Sequence, residues 1–378
     1  MNPPFPGIFT QQSPPQRILI VRLSAHGDVI HTLPLLNAIK QTYPEAKVGW
    51  LTEPSALPFL QNHPLIDRLH IAHRSRWLKA WRYPQQWHEV KNQIQHFLSE
   101  LRDSHYEVSL DVQGLLKSAI WPWLAGIPIR AGFQATREWA DHFYTHTLPP
   151  MNLRDPNTAA VQRYLDFARA MGAIIDRPHF ILPPPSPEAQ QQAETLLAPV
   201  NKEKQRPLVV IAPYTRWPSK HWEADYWPPL LEKLLHLGVQ PIIIGGPDDY
   251  AETERFLSLL SLENQNRILN LVGKTDWQCL PVILSQATLL IGSDSAPLHL
   301  SDALGKAVIG LFGPTAPGRT GPVGAGHAIL STNLPCQPCF SRHCRIRTHD
   351  CMKQLTPDIV AAMVERQLTL IQSGQATS

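Results

Sequence analysis

The stretch Arg17-Ile-Leu-Ile-Val-Arg-Leu-Ser-Ala-His-Gly-Asp-Val-Ile-His-Thr-Leu-Pro34 decides the fold class of this chain. Ile18 to Val21 form a short apolar run, the mark of a strand buried on both faces. The run stops at the small-residue turn Ser24-Ala25-His26-Gly27, and Asp28 then opens an apolar helix from Val29 to Lys40. One carboxylate is thereby set at the carboxyl end of a parallel strand, where open α/β sheets bind their ligands. On local sequence alone the plainer reading of Asp28 is a helix cap, because Asp is a preferred N-cap residue.

Outward from this stretch, short apolar strands alternate with longer segments. Arg17–Leu23, Lys47–Leu51 and Glu107–Val112 read as strands, with helices such as Val29–Thr42 and Trp87–Leu101 between them. That alternation implies a parallel sheet with right-handed crossovers. Ile181-Leu-Pro-Pro-Pro-Ser-Pro then interrupts the pattern, since its prolines continue neither a helix nor a central strand. Beyond it Leu208–Ala212, Gln240–Ile244, Ala287–Ile291 and Ala307–Leu311 read as strands, and Tyr226–Leu237 and Pro357 to about Ser373 as helices. The expected architecture is two α/β domains facing a cleft. Their expected bounds are 17–181, a Pro-rich linker over 182–206, 207–355, and a C-terminal helical segment over 356–378.

A length of 378 residues allows two domains with their own cores, and 43% apolar residues mark a globular chain. A net charge of +3 is too weak to argue for a nucleic-acid partner. No run of about 18 apolar residues exists to span a membrane. Met1–Gln16 has neither Lys nor Arg and no apolar core, unlike a secretory signal, so a cytoplasmic location is expected. Four of the five cysteines, Cys336, Cys339, Cys344 and Cys351, cluster as C-x2-C-x4-C-x6-C with His343 and His349 among them. Four ligands would suffice for a structural zinc, although the compact spacing lacks the usual gap between two ligand pairs.

A second informative stretch is Ile291-Gly-Ser-Asp-Ser-Ala-Pro-Leu-His-Leu300. A strand ends in small polar residues and a helix begins near Ala296, so a diphosphate can rest on Ser295, Ala296 and the following amides. An ordinary helix capped by Ser293, Asp294 or Ser295 is the alternative. Two further strand-end loops favour the ligand. Leu311-Phe-Gly-Pro-Thr-Ala-Pro-Gly is rigid, and Pro213-Tyr-Thr-Arg-Trp-Pro-Ser-Lys-His-Trp brings Thr215, Lys220 and an aromatic wall. An ammonium at a strand end offsets the charge that grows on a departing diphosphate. No phosphate-binding G-x-x-x-x-G-K-[ST], no dinucleotide G-x-G-x-x-G after the first strand and no hydrolase G-x-S-x-G is present.

In the first half, His73-Arg-Ser-Arg-Trp-Leu-Lys-Ala-Trp-Arg mixes Arg74, Arg76, Lys79 and Arg82 with Trp77 and Trp81. This fits an anionic amphiphile, such as a lipid headgroup or a phosphorylated glycan, or else a helix whose Trp stripe packs on the core. Arg130, Arg137 and Arg163 add cations in the same half.

Together these residues resemble the ADP-heptose:lipopolysaccharide heptosyltransferases of glycosyltransferase family 9. The resemblance runs from about Arg17 to Gly324. It is carried by Ser24-Ala-His-Gly-Asp-Val-Ile-His-Thr-Leu-Pro, Asp111-Val-Gln-Gly-Leu-Leu-Lys-Ser-Ala, Gln134-Ala-Thr-Arg-Glu, Lys220-His-Trp, Ser293-Asp-Ser-Ala-Pro-Leu-His-Leu and Gly313-Pro-Thr. It implies a GT-B fold of two Rossmann-like domains, a C-terminal helix crossing back to the first domain, and an inverting transfer without a metal. By the same resemblance Asp28 is the catalytic base. Thr215 and Lys220 contact the donor diphosphate, Asp294 the donor sugar, and Ser295, Ala296 and His299 complete the donor site. Asp249 or Glu252 holds the ribose, the sequence leaving both open. Arg76, Lys79 and Arg137 face the acceptor, and Arg163, as a cation in the same half, is counted with them.

The implied partners are an ADP-sugar and an anionic glycolipid of the Kdo-lipid A type, met at the cytoplasmic face of the inner membrane, with no cofactor. One departure is Asp294-Ser-Ala-Pro, where the family commonly has Asp-Thr/Ser-Gly, and another is the bulk of Trp217 and Pro218 in the Tyr214–Ser219 loop. Rival readings are a family member with another nucleotide sugar or acceptor, a non-catalytic sugar-nucleotide binder, and a zinc-stabilised interaction module.

Overall fold

In a computed structural model describing residues 13–150, 155–201 and 206–374, the chain forms two compact α/β units. One lies within Met1–Leu153 and Ala160–Pro184, the other within Arg154–Ala159 and Pro185–Ser378.

The first unit begins β1 (Arg17–Val21), α1 (His26–Thr42), β2 (Lys47–Thr52), β3 (Arg68–Ile71), α2 (Arg74–Ala80) and α3 (Trp87–Asp103). It continues with β4 (Val108–Asp111), α4 (Leu116–Leu124), β5 (Ile129–Phe133), β6 (His146–Leu148) and α5 (Ala160–Ala170). All its strands are parallel, in the order β3-β2-β1-β4-β5-β6. The chain builds outward from β1 to β3, then returns to add β4 on the other flank of β1. Strand order therefore reverses between β1 and β4, and at such a switch point the loops part and leave a ligand crevice. Central placement explains the unbroken apolar run: Ile18 to Val21 are fully buried, with Ile18 opposite both Val48 and Val108. The helix α1 is buried continuously from Val29 to Ile39 and packs against α5, so it shows little amphipathic pattern.

The second unit starts with α6 (Pro187–Asn201), β7 (Leu208–Ala212), α7 (Trp227–His236), β8 (Gln240–Ile243), α8 (Tyr250–Leu257), α9 (Leu262–Asn266) and β9 (Leu269–Asn270). There follow α10 (Leu280–Gln286), β10 (Leu289–Ser293), α11 (Ala296–Ala303), β11 (Ala307–Phe312) and α12 (Pro317–Thr320). The unit closes with β12 (Ala328–Ser331), α13 (Asp350–Lys353) and α14 (Pro357–Gln372). Its parallel sheet runs β12-β11-β10-β7-β8-β9, so the reversal falls between β7 and β10. Its core joins Val209, Ile211, Ile291 and Leu311 to Leu230 and Leu234 of α7 and to Val360, Val364 and Leu368 of α14. The buried face of α14 thus belongs to this unit.

The stretch expected to be a linker, 182–206, holds α6, which buries Ala189, Ala193 and Leu197; residues 202–205 lie outside the described ones. Its prolines stop short of the helix interior at that end. Pro187 is the first helical residue, where a missing N–H costs nothing.

Candidate active site

At the first switch point α1 begins at His26 with Ala25 as its N-cap, so Asp28 lies inside the first turn and does not cap the helix. Its Oδ2 instead meets Arg22 Nη2 at 2.6 Å, and the Tyr164 hydroxyl donates to its Oδ1 at 3.4 Å. Arg22 is 6% exposed; its Nη1 donates to the Val112 carbonyl at 3.0 Å, and its guanidinium sits 5.3 Å from the Tyr164 ring centre. Burial pushes the Asp28 carboxyl up, but Arg22 and then His31 outweigh it and hold the group below the usual carboxylate range. The Asp28 side chain is nevertheless 44% exposed. It is an ionised carboxylate, locked in place and open to solvent.

Sequence reasoning missed Arg22 and Tyr164. The signal for Arg22 was its position between Val21 and Leu23, both fully buried, where a charged side chain needs a partner.

Strand β4 supports this turn from the other side of the crevice. Asp111, 1% exposed, accepts the Gln113 and Gly114 N–H groups at 2.9 and 3.1 Å and the Tyr144 hydroxyl at 2.8 Å. Burial dominates and pushes its carboxyl up. The tyrosine reaches it because residue 132 is glycine; a Cβ there would fall 2.0 Å from the Tyr144 ring. Gln113 Oε1 then accepts the Leu23 N–H at 2.8 Å, and Lys117 Nζ donates to Ser24 Oγ at 3.3 Å. The Asp111 motif therefore clamps the turn that presents Asp28.

Of the expected acceptor cations, Arg76 and Lys79 line one surface depression with Tyr83, and Arg76 lies 3.7 Å from Glu89. Arg137 is exposed at the start of the tight helical turns Arg137–Phe143. Arg163 is placed differently: it is buried on α5 at 6% exposure and does not stand on an open surface with the other three.

At the second switch point Lys220, following β7, meets Asp294, following β10. Lys220 Nζ donates to Asp294 Oδ2 at 2.7 Å and to the Asp294 carbonyl at 3.0 Å, and lies 4.9 Å from the Trp217 ring centre. His299 Nε2 is 3.2 Å from Asp294 Oδ1, and Thr320 Oγ1 donates to Oδ2 at 3.0 Å. Burial pushes Asp294 up, but Lys220 and His299 overcome it and hold the carboxyl far below its ordinary range. Ser295 is the N-cap residue of α11 yet makes no side-chain cap bond, and Ala296 begins the helix. The hydroxyls of Ser293, Ser295 and Thr315 are buried without a hydrogen-bond partner among the described residues. Such groups are costly unless something satisfies them. The Ala296 amide at the start of α11, the unpartnered hydroxyls and an ammonium form an anion-binding constellation, Pro297 having no N–H and Leu298 and His299 bonding the Ser295 carbonyl. Thr320, the last residue of α12 beside Arg319, was missed because a lone hydroxyl carries no pattern in the sequence.

Thr215 Oγ1 accepts the Trp217 N–H and donates to the Trp217 carbonyl, both at 3.0 Å, shaping the loop that delivers Lys220. Asp249 Oδ2 accepts the Gly246 N–H at 2.8 Å and ties the turn after β8, while Glu252 is exposed in the first turn of α8. The four clustered thiols all line one cavity of about 500 Å³ with His349. Among the described residues no three His, Cys, Asp or Glu side chains stand as a metal-ligand group.

The family model described as glycosyltransferase family 9 (heptosyltransferase) matches residues 94–349. Lipopolysaccharide heptosyltransferase 1 of Pseudomonas aeruginosa is 29% identical over 93% of this chain and 98% of the relative. Its Escherichia coli K12 namesake is 26% identical over 83% and 92%. Among solved structures, E. coli ADP-heptose lps heptosyltransferase II superposes with a TM-score of 0.73 at 19% identity, covering 94% of this chain and 99% of that one. E. coli heptosyltransferase WaaC with ADP gives 0.71 at 24%, covering 93% and 99%. These likenesses establish the expected fold class, α/β with the GT-B architecture. With two-thirds of its length inside the family model and a relative matched almost end to end, the chain belongs to glycosyltransferase family 9 (heptosyltransferase) and is a glycosyltransferase.

Proposed function

We propose that the chain transfers a heptose from ADP-heptose to an anionic glycolipid of the Kdo-lipid A type in lipopolysaccharide core assembly, inverting the anomeric centre. Family membership and the relatives' names support the substrate class. The observation that carries the chemistry is Asp28, an ionised, half-exposed carboxylate fixed by Arg22 at the carboxyl end of the central strand. The acceptor hydroxyl attacks the anomeric carbon, the bond from that carbon to the diphosphate oxygen breaks, and ADP leaves with the electron pair. Asp28 takes the hydroxyl proton as attack proceeds. A carboxyl held low in pKa is a weak base at rest. It accepts the proton once bond formation has acidified the hydroxyl, and it stays charged throughout neutral pH. In the second unit Lys220, Ser295 and the Ala296 amide at the start of α11 meet the charge on the departing diphosphate, so the transfer needs no metal. Asp294, positioned by Lys220, His299 and Thr320, orients the donor sugar. Arg76, Lys79 and Arg137 receive the acidic acceptor, which the protein meets at the cytoplasmic face of the inner membrane. No described helix is long and apolar enough to cross a membrane.

The test is ADP release from ADP-heptose with and without Kdo-lipid A. Acceptor-dependent release should fall about a hundredfold or more in Asp28→Asn, with ADP affinity retained. Near-normal turnover in that variant would refute the base assignment. Absence of release with ADP still bound would refute the substrate pair.

A further inference from the structure

Residues 74–91 carry Arg74, Arg76, Lys79, Arg82 and Lys91 against the single acid Glu89, more positive charge than the whole chain's net +3. The helix α2 buries one residue, Trp77, which packs edge-on against Phe97 and Trp121 with ring centres 5.5 and 5.6 Å away. Leu78 of this helix, and the large apolar side chains just after it, point outward. Leu78, Trp81, Tyr83 and Trp87 are 57, 52, 53 and 48% exposed. The Trp81 and Trp87 rings stack at 5.7 Å and 20°, and Trp87 Nε1 donates to the Trp81 carbonyl at 2.7 Å. That pairing makes one fixed apolar plate out of two side chains. Around it, Lys79 and Arg82 have no side-chain partner among the described residues, and Arg76 has only Glu89 at 3.7 Å. Arg74 alone is tightly bound, to Glu53 at 2.8 Å.

We propose that this surface, from α2 to the start of α3, docks on an anionic lipid bilayer. The indoles, Tyr83 and Leu78 enter the headgroup boundary, where a ring with an apolar body and a polar edge is at home. Arg76, Lys79 and Arg82 pair with lipid phosphates. A bilayer is the occupant, and not a free phosphorylated sugar, because a water-soluble anion offers nothing to the four exposed apolar side chains. This deepens the proposed function by naming the face turned to the membrane that holds the acceptor.

Co-sedimentation of the full chain with vesicles tests it, and needs neither donor nor acceptor. Vesicles of phosphatidylglycerol in phosphatidylcholine should bind the protein, pure phosphatidylcholine much less, and raising salt from about 0.05 to 0.5 M should weaken binding several-fold. The variant Trp81→Ser/Trp87→Ser should bind about tenfold or more weakly, and Arg82→Glu should lose most of the lipid-charge dependence. Both should keep the wild-type melting temperature and the wild-type turnover on a deacylated acceptor. The proposal is overturned if the wild type ignores anionic vesicles, if the double Trp variant binds as the wild type does, or if inorganic phosphate at low millimolar concentration abolishes binding. Vesicle binding without any ADP release would refute the proposed transfer and leave this docking face standing.

Discussion

Replacing Arg22 with Met tests how the candidate base is held. Methionine keeps an apolar stem of similar length in the core and deletes the guanidinium. Three interactions vanish: the 2.6 Å ion pair with Asp28, the 3.0 Å bond to the Val112 carbonyl and the contact of the guanidinium with the Tyr164 ring, 5.3 Å from its centre. A hydrogen bond to a charged partner is worth about 1.5–3 kcal/mol and a neutral one about 1 kcal/mol. Asp28 is 44% exposed, so water replaces part of what Arg22 supplied and the lower end applies. Relief from burying a guanidinium offsets some of the remainder. The net expectation is a loss of about 2 kcal/mol, or about 4–8 °C in melting temperature for a unit of this size. The pH dependence has a definite sign. The folded Asp28 carboxyl lies below its unfolded value of about 3.9, so the pair stabilises fully above that pH and loses its effect as pH falls through the folded value. Thermal melts of wild type and Arg22→Met should differ fully at pH 7 and converge below about pH 4. With Arg22 gone, burial of the carboxyl is opposed by His31 and a backbone hydrogen bond without the guanidinium, so the acid limb of the pH–rate profile should move upward. An unchanged melting temperature at pH 7 together with an unmoved acid limb would refute the account.

Lys220→Met removes one of three partners from a carboxylate that is 4% exposed. Breaking a buried pair from one side costs about 3–5 kcal/mol, and because His299 and Thr320 remain, about 2–3 kcal/mol is expected in chemical denaturation. ADP affinity by calorimetry should drop about tenfold or more, and wild-type affinity would remove Lys220 from the donor site. Among the thiols, Cys344 should react fastest with a maleimide near neutral pH, because the N–H of His349 and then those of Ile346, Arg347 and Thr348 hold its thiol below the usual value. Cys279 and Cys351, pushed up to about 11 by burial, should react last. Protection of Cys336, Cys339, Cys344 and Cys351 together, reversed by a chelator, would instead establish the structural zinc that their spacing first suggested.

Most of the strands were legible because burial on both faces writes itself into consecutive residues. Leu208–Ala212 is bounded in the structure as its apolar run predicts, and Ile18–Val21 forms all but the first residue of β1. The turn after β1 was equally legible, since Ser, Ala and Gly interrupt an apolar pattern. The setting of the Asp28 carboxylate was not. Its type and position suit a helix cap, and only the structure shows the helix starting two residues earlier and the carboxylate turned to Arg22. Arg163 shows the converse: a cation in the right half of the chain that folding places in the interior. Local propensity cannot separate an exposed arginine from a buried one.

By itself, the sequence determined the α/β class, the restart of the pattern after the prolines, and the strand-end loops where chemistry belongs. These follow from local rules of periodicity, turn chemistry and helix breaking. The tertiary structure alone decided which strands lie side by side, and with them which loops meet. Lys220 and Asp294 are 74 residues apart and Asp28 and Tyr164 are 136 apart. Lys220 and Asp294 meet because their sheet reverses strand order beside β7, and Asp28 and Tyr164 because α5 packs against α1. Strand pairing is a contact between distant segments, and no local pattern encodes it.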